Sequence, residues 1–492
     1  MTITAQHLAR RVTGAAIWTY AGVFADRVIR FVVFLIVARL VRPGDFGVVL
    51  LSLLAVEAVQ TLLNVGLPTA LLQETETPGP LLNTVFFINL TMNGLAAGTL
   101  VLASGALSSF AHTPEAAPLL RVLAVTPVIS ALGAVHVALL QRQLGFKALA
   151  LRQAASSIVA SVIAIVMALA GLGVWALVAR TLVIAAVGTV AAWQATRYRP
   201  SLHFDLAQMR RVLASGLRLW AAGLATMINA RGFDMLAGLA LGAVALGAIR
   251  IAGQTVMLLI DMTVSPLTAM GFALLARAMD DPAQFKQTLA VIARLAALLI
   301  FPAFAGLYVV ADPLLPLIFG ARWAPAATIT PYMCVIAPAL YSQLLISAAL
   351  FAAGRSDRLL QWSLLESAVT LVAALVGARF GLVGLAIAGT VRLYLMAPLG
   401  WLWLRRDVGI SVTNLLKPAA FPAAAAVVMA IGVALAKGAL APRLEPVPLT
   451  IALIAIGVMI YGALASLTAQ DLWRAWMGRD KDIGARSMQA AP

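Results

Sequence analysis

Charged side chains set inside long apolar runs are the residues of this sequence with the most chemistry open to them. Seven arginines fall in such runs (Arg27, Arg30, Arg180, Arg218, Arg250, Arg294 and Arg392) against four carboxylates, Asp26, Glu57, Asp261 and Glu366. One-to-one pairing leaves cations over. A guanidinium in hydrocarbon costs about 3 kcal/mol or more, so each of these groups has to face protein, a water-filled cavity or the headgroup zone. Surplus planar guanidiniums in a polar cleft suit an anion, a diphosphate above all, because each fork makes paired hydrogen bonds to phosphate oxygens. Taken singly, each arginine is better explained by a structural ion pair or by reaching to the headgroups. The collection favours an anion pathway more than any member does.

Spacing sorts the group further. Asp26 and Arg30 stand four residues apart and share a helix face, as a structural ion pair requires, and Arg27 beside them leaves positive charge in excess. Arg250 and Asp261 are eleven residues apart, about three helical turns, so they share a stripe but cannot bond along a straight helix. Other chemistries lack their residues. The one cysteine, Cys334, excludes an intrachain disulfide framework, and His7, His112, His136 and His203 share no ligand-like spacing, so neither a metal nor a cofactor is expected. No GxxxxGK[ST] loop is present, and Gly232, Gly238, Gly242 and Gly247 do not make a dinucleotide fingerprint; close helix packing or a bend is their expected role.

The elements that position these charges are membrane helices. Of 492 residues, 62% are hydrophobic and 11% charged, too few charges to coat several soluble cores. Spanning runs read at about residues 14–38, 46–68, 81–107, 117–140, 153–171, 173–193, 212–233, 240–265, 287–310, 325–352, 361–378, 381–404, 418–436 and 449–467. That makes about fourteen transmembrane helices in an all-α, polytopic membrane protein. Gly171-Leu172-Gly173 and Arg379-Phe380-Gly381 read as very short turns between spans. The apolar run after Arg10-Arg11 reaches Leu40 and carries Asp26, Arg27 and Arg30, unlike a short cleavable signal segment.

The net charge of +16 is then a topology signal. With both termini cytoplasmic, twenty basic residues fall in inside segments and eight, among them Arg231, in outside ones, which fits the positive-inside rule. Only five of the 35 basic residues are lysines and no soluble domain displays them, so no nucleic-acid partner is expected. A duplication is also visible. Arg42-Pro43-Gly44-Asp45-Phe46-Gly47 leads to Gly66-Leu67-Pro68, and about 200 residues later Leu241-Gly242 through Gly247 leads to Ser265-Pro266. An even number of spans between repeats makes them parallel, so the expected organisation is a six-helix lobe over 1–200, a pseudo-symmetric second over 201–410, and two further helices with a tail over 411–492. The proline pair Pro68 and Pro266 marks kinks or helix limits bordering a pathway.

Phe34-Leu35-Ile36-Val37-Ala38-Arg39-Leu40-Val41-Arg42-Pro43-Gly44-Asp45-Phe46-Gly47, Asn64 through Gln73, and Leu314 through Gly320 with Trp323 and Pro325-Ala326-Ala327 resemble one family. It is the polysaccharide-transporter, or Wzx-type oligosaccharide flippase, branch of the multidrug/oligosaccharidyl-lipid/polysaccharide exporter superfamily. The resemblance implies a protein of the bacterial inner membrane that is not an enzyme. It would move an undecaprenyl-diphosphate-linked oligosaccharide from the cytoplasmic to the periplasmic leaflet by alternating access, for exopolysaccharide, capsule or lipopolysaccharide synthesis. It places Arg27, Arg30, Arg218 and Arg250 first among cavity residues for the diphosphate, with Asn64 and Gln254 meeting sugar. Glu57, Asp261 and Glu366 are the candidates for coupling to an ion gradient. Membrane lipids and a polysaccharide polymerase or assembly proteins are the other partners it implies. A cation-coupled multidrug exporter of the same superfamily is the alternative, disfavoured by the arginine surplus. A membrane polysaccharide ligase or polymerase would call for a substantial periplasmic loop, which the sequence lacks.

Overall fold

In a computed structural model the described residues are 31–63, 79–143, 145–203, 226–279 and 281–466, with isolated positions 68, 71, 220, 223 and 224. They are mostly helical, with no strand among them. In lipid every backbone N–H and C=O must be satisfied within its own segment, which leaves the helix as the form for single runs of this length. Among the described residues eleven helices are long and apolar enough to cross a membrane, or twelve when one bent pair is counted as a span. This is a multi-pass membrane protein. Twelve of the fourteen expected spans have a counterpart in that set. The other two, 14–38 and 212–233, lie respectively for the most part and by half outside the described residues, so the count of fourteen is not reached within them.

The chain divides into two compact units, residues 1–248 and 249–492. The first contains α1 (Phe31–Leu40), α2 (Pro43–Leu63), α3 (Gly79–Phe110), α4 (Ala116–Leu123), α5 (Val125–Arg142), α6 (Phe146–Leu169) and α7 (Trp175–Ala195). Helix α2 begins as its sequence dictates: Pro43 stands first, where no N–H is needed, and Asp45 in the first turn suits the helix dipole. The α6–α7 connection turns through Gly171 (φ 77°) and Gly173 (φ 51°). Apolarity cannot decide which face of a membrane helix meets its neighbours, since lipid is as apolar as leucine; small residues decide it. On α6 the buried positions are Ser156, Ser157, Ala160, Ser161, Ala164 and Ala168, while Leu151, Ile158, Val162 and Val166 are exposed. Beyond α7 the chain is pinned to α3 by a polar knot. Tyr198 donates to Asn83 Oδ1 at 2.8 Å, and Asn83 donates to Ser201 Oγ at 2.7 Å. Burial pushes the Tyr198 phenol up to about 12, so it stays a donor.

A π-helical turn, Ile228–Gly232, leads into α8 (Phe233–Arg277). Gly242 interrupts α8 with φ 83° and ψ 176°, a conformation open to glycine. The break lies beside α2: a Cβ on Gly47 would stand 1.8 Å from the Ala243 carbonyl oxygen, so the two backbones touch there. Val48, Leu51, Leu54, Leu100, Leu120, Leu123, Val178 and Leu246 form the core around that contact.

The second unit takes the remainder of α8 and then α9 (Pro282–Phe319), α10 (Ala324–Cys334), α11 (Ala337–Ala352), α12 (Ser356–Ala378), α13 (Gly381–Trp403), α14 (Val412–Leu440) and α15 (Pro446–Ser466). Asp281 caps α9, accepting from Ala283 N at 2.8 Å and Gln284 N at 3.3 Å, ahead of Pro282 at the first position. The expected span 325–352 is broken: α10 and α11 meet at 52°. Pro338 supplies the reason, since it offers no N–H and its ring collides with the carbonyl four residues back. The turn at Arg379-Phe380 ends on Gly381 with φ 72°. Helices α14 and α15 are moored to α9. Lys437 Nζ lies 2.8 Å from Asp312 Oδ2 and 3.1 Å from Val309 O, and Tyr461 donates to Leu298 O at 3.1 Å. Val310, Met429, Val433 and Leu453 fill the space between them.

Candidate functional site

A polar stripe runs along α8 in the second unit. Arg250, Gln254 and Asp261 stand at i, i+4 and i+11, and Ser265 and Thr268 continue the series at i+15 and i+18. At 3.6 residues per turn these five fall within an arc of roughly 60°. All five are half-buried, while Ile251, Ala252, Thr255, Val256 and Leu267 hold the buried face. Ser265 Oγ lies 3.4 Å from Asp261 Oδ1, and Thr268 bonds back to Val264 O at 3.0 Å, so both hydroxyls are held by their own helix. Chemically the stripe offers a guanidinium, an amide, a carboxylate and two hydroxyls along one face of the helix. Ser265 and Thr268 are not among the site residues expected from the sequence, where Ser265 figures only beside Pro266 in the duplication; extending the Arg250–Asp261 series along the same face finds them.

Glu57, expected to serve in coupling, is ion-paired. Arg231 Nε lies 3.0 Å from Glu57 Oε2 and 3.3 Å from Oε1, with the side chains 45% and 30% exposed for Glu57 and Arg231. The charge count assigns Arg231 to an outside loop. It stands instead in the π-helical turn Ile228–Gly232, inside the apolar stretch Ile228–Thr268. A π-turn carries one residue more than the α-helical period, which re-aims its side chains and recurs at functional sites. Trp220 joins the same helix, donating to Thr61 O at 3.0 Å.

Glu366 belongs to a third group. It lies on α12, 3.8 Å from Arg392 Nη1 on α13, at the limit of an ion pair. Arg392 is held more closely by neutral groups, Thr370 Oγ1 at 2.5 Å and Gly389 O at 3.2 Å. Arg392 lines an apolar cleft of about 390 Å³ together with Val369, Val372, Val391 and Leu395 among others. The structure thus brings Arg250, Gln254 and Asp261 onto one face, and sets Glu57 and Glu366 each against an arginine elsewhere. Arg27, Arg30, Asn64 and Arg218, together with the Asp26–Arg30 spacing, lie outside the described residues. Among the described residues no group of three or more His, Cys, Asp or Glu side chains is placed to hold a metal ion.

The helix arrangement defines the class first. The chain superposes on the lipid II flippase MurJ in its inward closed conformation with a TM-score of 0.73, covering 93% of this chain and all of that one at 14% identity. An inward-facing multidrug resistance transporter of the MATE family, of the MOP superfamily, aligns with a TM-score of 0.58 over 80% of this chain and 96% of its own, at 18% identity. At such identities the likeness is one of fold, shared with MurJ and with that MATE transporter. The family follows from sequence. Residues 36–328 match the polysaccharide biosynthesis protein family, and the chain belongs to it. It is 26% identical to the succinoglycan biosynthesis transport protein ExoT of Rhizobium meliloti (strain 1021) over the whole chain and 98% of that protein. It is 24% identical to the lipopolysaccharide biosynthesis protein WzxC of Escherichia coli (strain K12) over 72% of each.

Proposed function

We propose that this protein moves a lipid-linked oligosaccharide precursor of an exported polysaccharide from the cytoplasmic to the periplasmic leaflet of a bacterial inner membrane. The observation that carries the reading is its end-to-end relation to a succinoglycan biosynthesis transport protein. The α8 stripe gives that reading a chemistry. Arg250 engages the diphosphate through paired hydrogen bonds, while Gln254, Ser265 and Thr268 meet sugar hydroxyls and Asp261 accepts from them. No bond of the substrate is made or broken, so the protein is a transporter and not an enzyme.

In this reading both termini are cytoplasmic, as the excess of basic residues in one set of loops supports. The lobes run over 1–200 and 201–410, with 411–492 appended, and the cycle is one of alternating access. An ion gradient drives it, with Asp261 the carboxylate best placed for coupling, because it shares the stripe with the substrate groups. Glu57 and Glu366, each facing an arginine, serve as structural partners. The substrate is undecaprenyl-diphosphate-linked, and Arg27, Arg30, Arg218 and Asn64 complete the polar surface that receives it; a polymerase or assembly protein takes the product.

Proteoliposomes holding a fluorescent polyprenyl-diphosphate oligosaccharide in one leaflet test this. Transfer, read as loss of protection from a membrane-impermeant quencher, should be present with wild type and fall at least about tenfold with Arg250→Gln, the loss of one charge-assisted contact. The MATE-like fold supports a second reading, cation-coupled export of drugs. Extrusion of a cationic dye with no leaflet transfer of the oligosaccharide would favour it and refute the first.

A further inference from the structure

Between Ala116 and Phe204 the sequence contains no aspartate or glutamate, yet it carries Arg121, Arg142, Lys147, Arg152, Arg180, Arg197 and Arg199. Helices α4 to α7 fill that stretch, so an entire group of spanning helices holds only positive charge. Five of the seven cations gather at one end: Arg142 closes α5, Lys147 and Arg152 open α6, and Arg197 and Arg199 follow α7. One of these has other work. Arg199 caps α7, donating to Trp193 O, Thr196 O and Tyr198 O, and lies 5.6 Å over the Trp193 ring.

Arg152 differs in its surroundings. It stands in the second turn of α6, half-buried, with its Nε buried and bonded to nothing, and no carboxylate among the described residues pairs with it. Its guanidinium lies along α7 at Gly188, where a Cβ would come within 3.2 Å of Nη1. The missing side chain at Gly188 and the small Ser156 leave the groove in which it rests. That groove opens toward lipid, since Leu151, Ile158 and Val159 beside it on α6 are exposed. A half-buried guanidinium with an unbonded Nε and no carboxylate partner is costly, and an anionic group of the headgroup layer removes the cost.

We propose that the groove between α6 and α7 at Arg152 and Gly188 binds the phosphodiester headgroup of an anionic membrane phospholipid. Arg152 supplies the directed hydrogen bonds, and Lys147 and Arg197 the surrounding field. The cation-only composition makes phospholipid the ready counter-ion for this part of the chain. Assigning the site to the cytoplasmic leaflet rests on the orientation in the proposed function; the site itself does not.

The test is native mass spectrometry of the full-length protein titrated with phosphatidylglycerol or phosphatidylcholine, with no oligosaccharide present. Wild type should retain phosphatidylglycerol in preference, and Arg152→Gln should weaken that retention about tenfold, the loss of one charge-assisted contact. Gly188→Leu, which keeps the arginine and fills the groove, should weaken it as well, covering the case in which the arginine variant fails to insert. Arg250→Gln, on the α8 stripe, should leave it unchanged. Equal retention by wild type and both groove variants, or no preference of wild type for phosphatidylglycerol, overturns the proposal. Displacement of phosphatidylglycerol by a polyprenyl diphosphate at equimolar ratio also overturns it, by assigning the groove to the transported lipid. The transfer assay stands apart: wild type that binds phosphatidylglycerol but flips nothing refutes the function and leaves this site intact.

Discussion

Replacing Gly47 by alanine sets two effects of opposite sign against each other. Gly47 lies within α2, where alanine is the better helix former by about 1 kcal/mol, so propensity alone predicts a more stable protein. Packing predicts the reverse. The added Cβ would sit 1.8 Å from the Ala243 carbonyl oxygen, 2.4 Å from its carbon and 2.9 Å from its Cα. All three are backbone atoms, so no rotamer change relieves the contact, and α2 must draw back from the Gly242 break by roughly 1.5 Å. A gap of that size forfeits much of the dispersion energy along the seam of Val48, Leu51 and Leu246. Overpacking of well-filled sites costs about 1–3 kcal/mol, and a backbone collision belongs at the top of that range. The net expectation is a loss of about 2 kcal/mol, seen as a fall of several degrees in the unfolding temperature of purified protein in one detergent, followed by tryptophan fluorescence. Gly44→Ala provides the control in the same turn, because its nearest neighbour would be Val244 Cγ2 at an ordinary 3.6 Å. It should melt at or slightly above the wild-type temperature. Gly47→Ala melting with Gly44→Ala, at or above wild type, would refute the close approach of the two backbones.

Other expectations follow from the ion pairs and one buried hydroxyl. In a double-mutant cycle of Glu57→Gln and Arg231→Gln, the 3.0 Å pair should show a coupling of about 1 kcal/mol or less, given its partial exposure; strictly additive effects would refute the pairing. Asp407, 7% exposed, takes Arg358 at 2.8 Å and Arg355 at 3.5 Å, so Asp407→Asn leaves two guanidiniums facing each other and should lower the unfolding temperature more than Asp357→Asn, whose carboxylate is 55% exposed. Equal effects of the two would argue against that arrangement. Tyr341, 1% exposed, donates to Leu415 O at 2.6 Å; Tyr341→Phe should cost about 1 kcal/mol, and an unchanged melting curve would show the bond to be idle.

Local regularities were legible in the sequence; contacts between distant segments were not. A spanning helix announces itself by its own length, and the turns at Gly171–Gly173 and at Arg379–Gly381 show because a chain reversing at the membrane surface needs glycine or a charge. Hydropathy does not report where a helix ends once it leaves the hydrocarbon, which is why the run read as 287–310 extends over Pro282–Phe319. It also does not report a break inside apolar sequence: 325–352 reads as one span, and the prolines Pro331 and Pro338 are the signal passed over. The α8 stripe was partly readable from the eleven-residue spacing of Arg250 and Asp261. The Glu57–Arg231 pair was beyond reach, since 174 residues separate its members and a lone charge between apolar runs reads as a loop.

The mooring of α14 and α15 to α9 has a practical consequence. Fastened through Lys437, Asp312 and Tyr461, the last two helices are passengers of the second unit, and the exposed turn between them at Arg443 is a place from which to watch that unit. The chain has one cysteine, Cys334, and it is buried at 3% exposure. A cysteine installed at Arg443 would therefore take a fluorophore selectively in an otherwise native protein, giving a reporter whose signal follows unit 2 through the transport cycle.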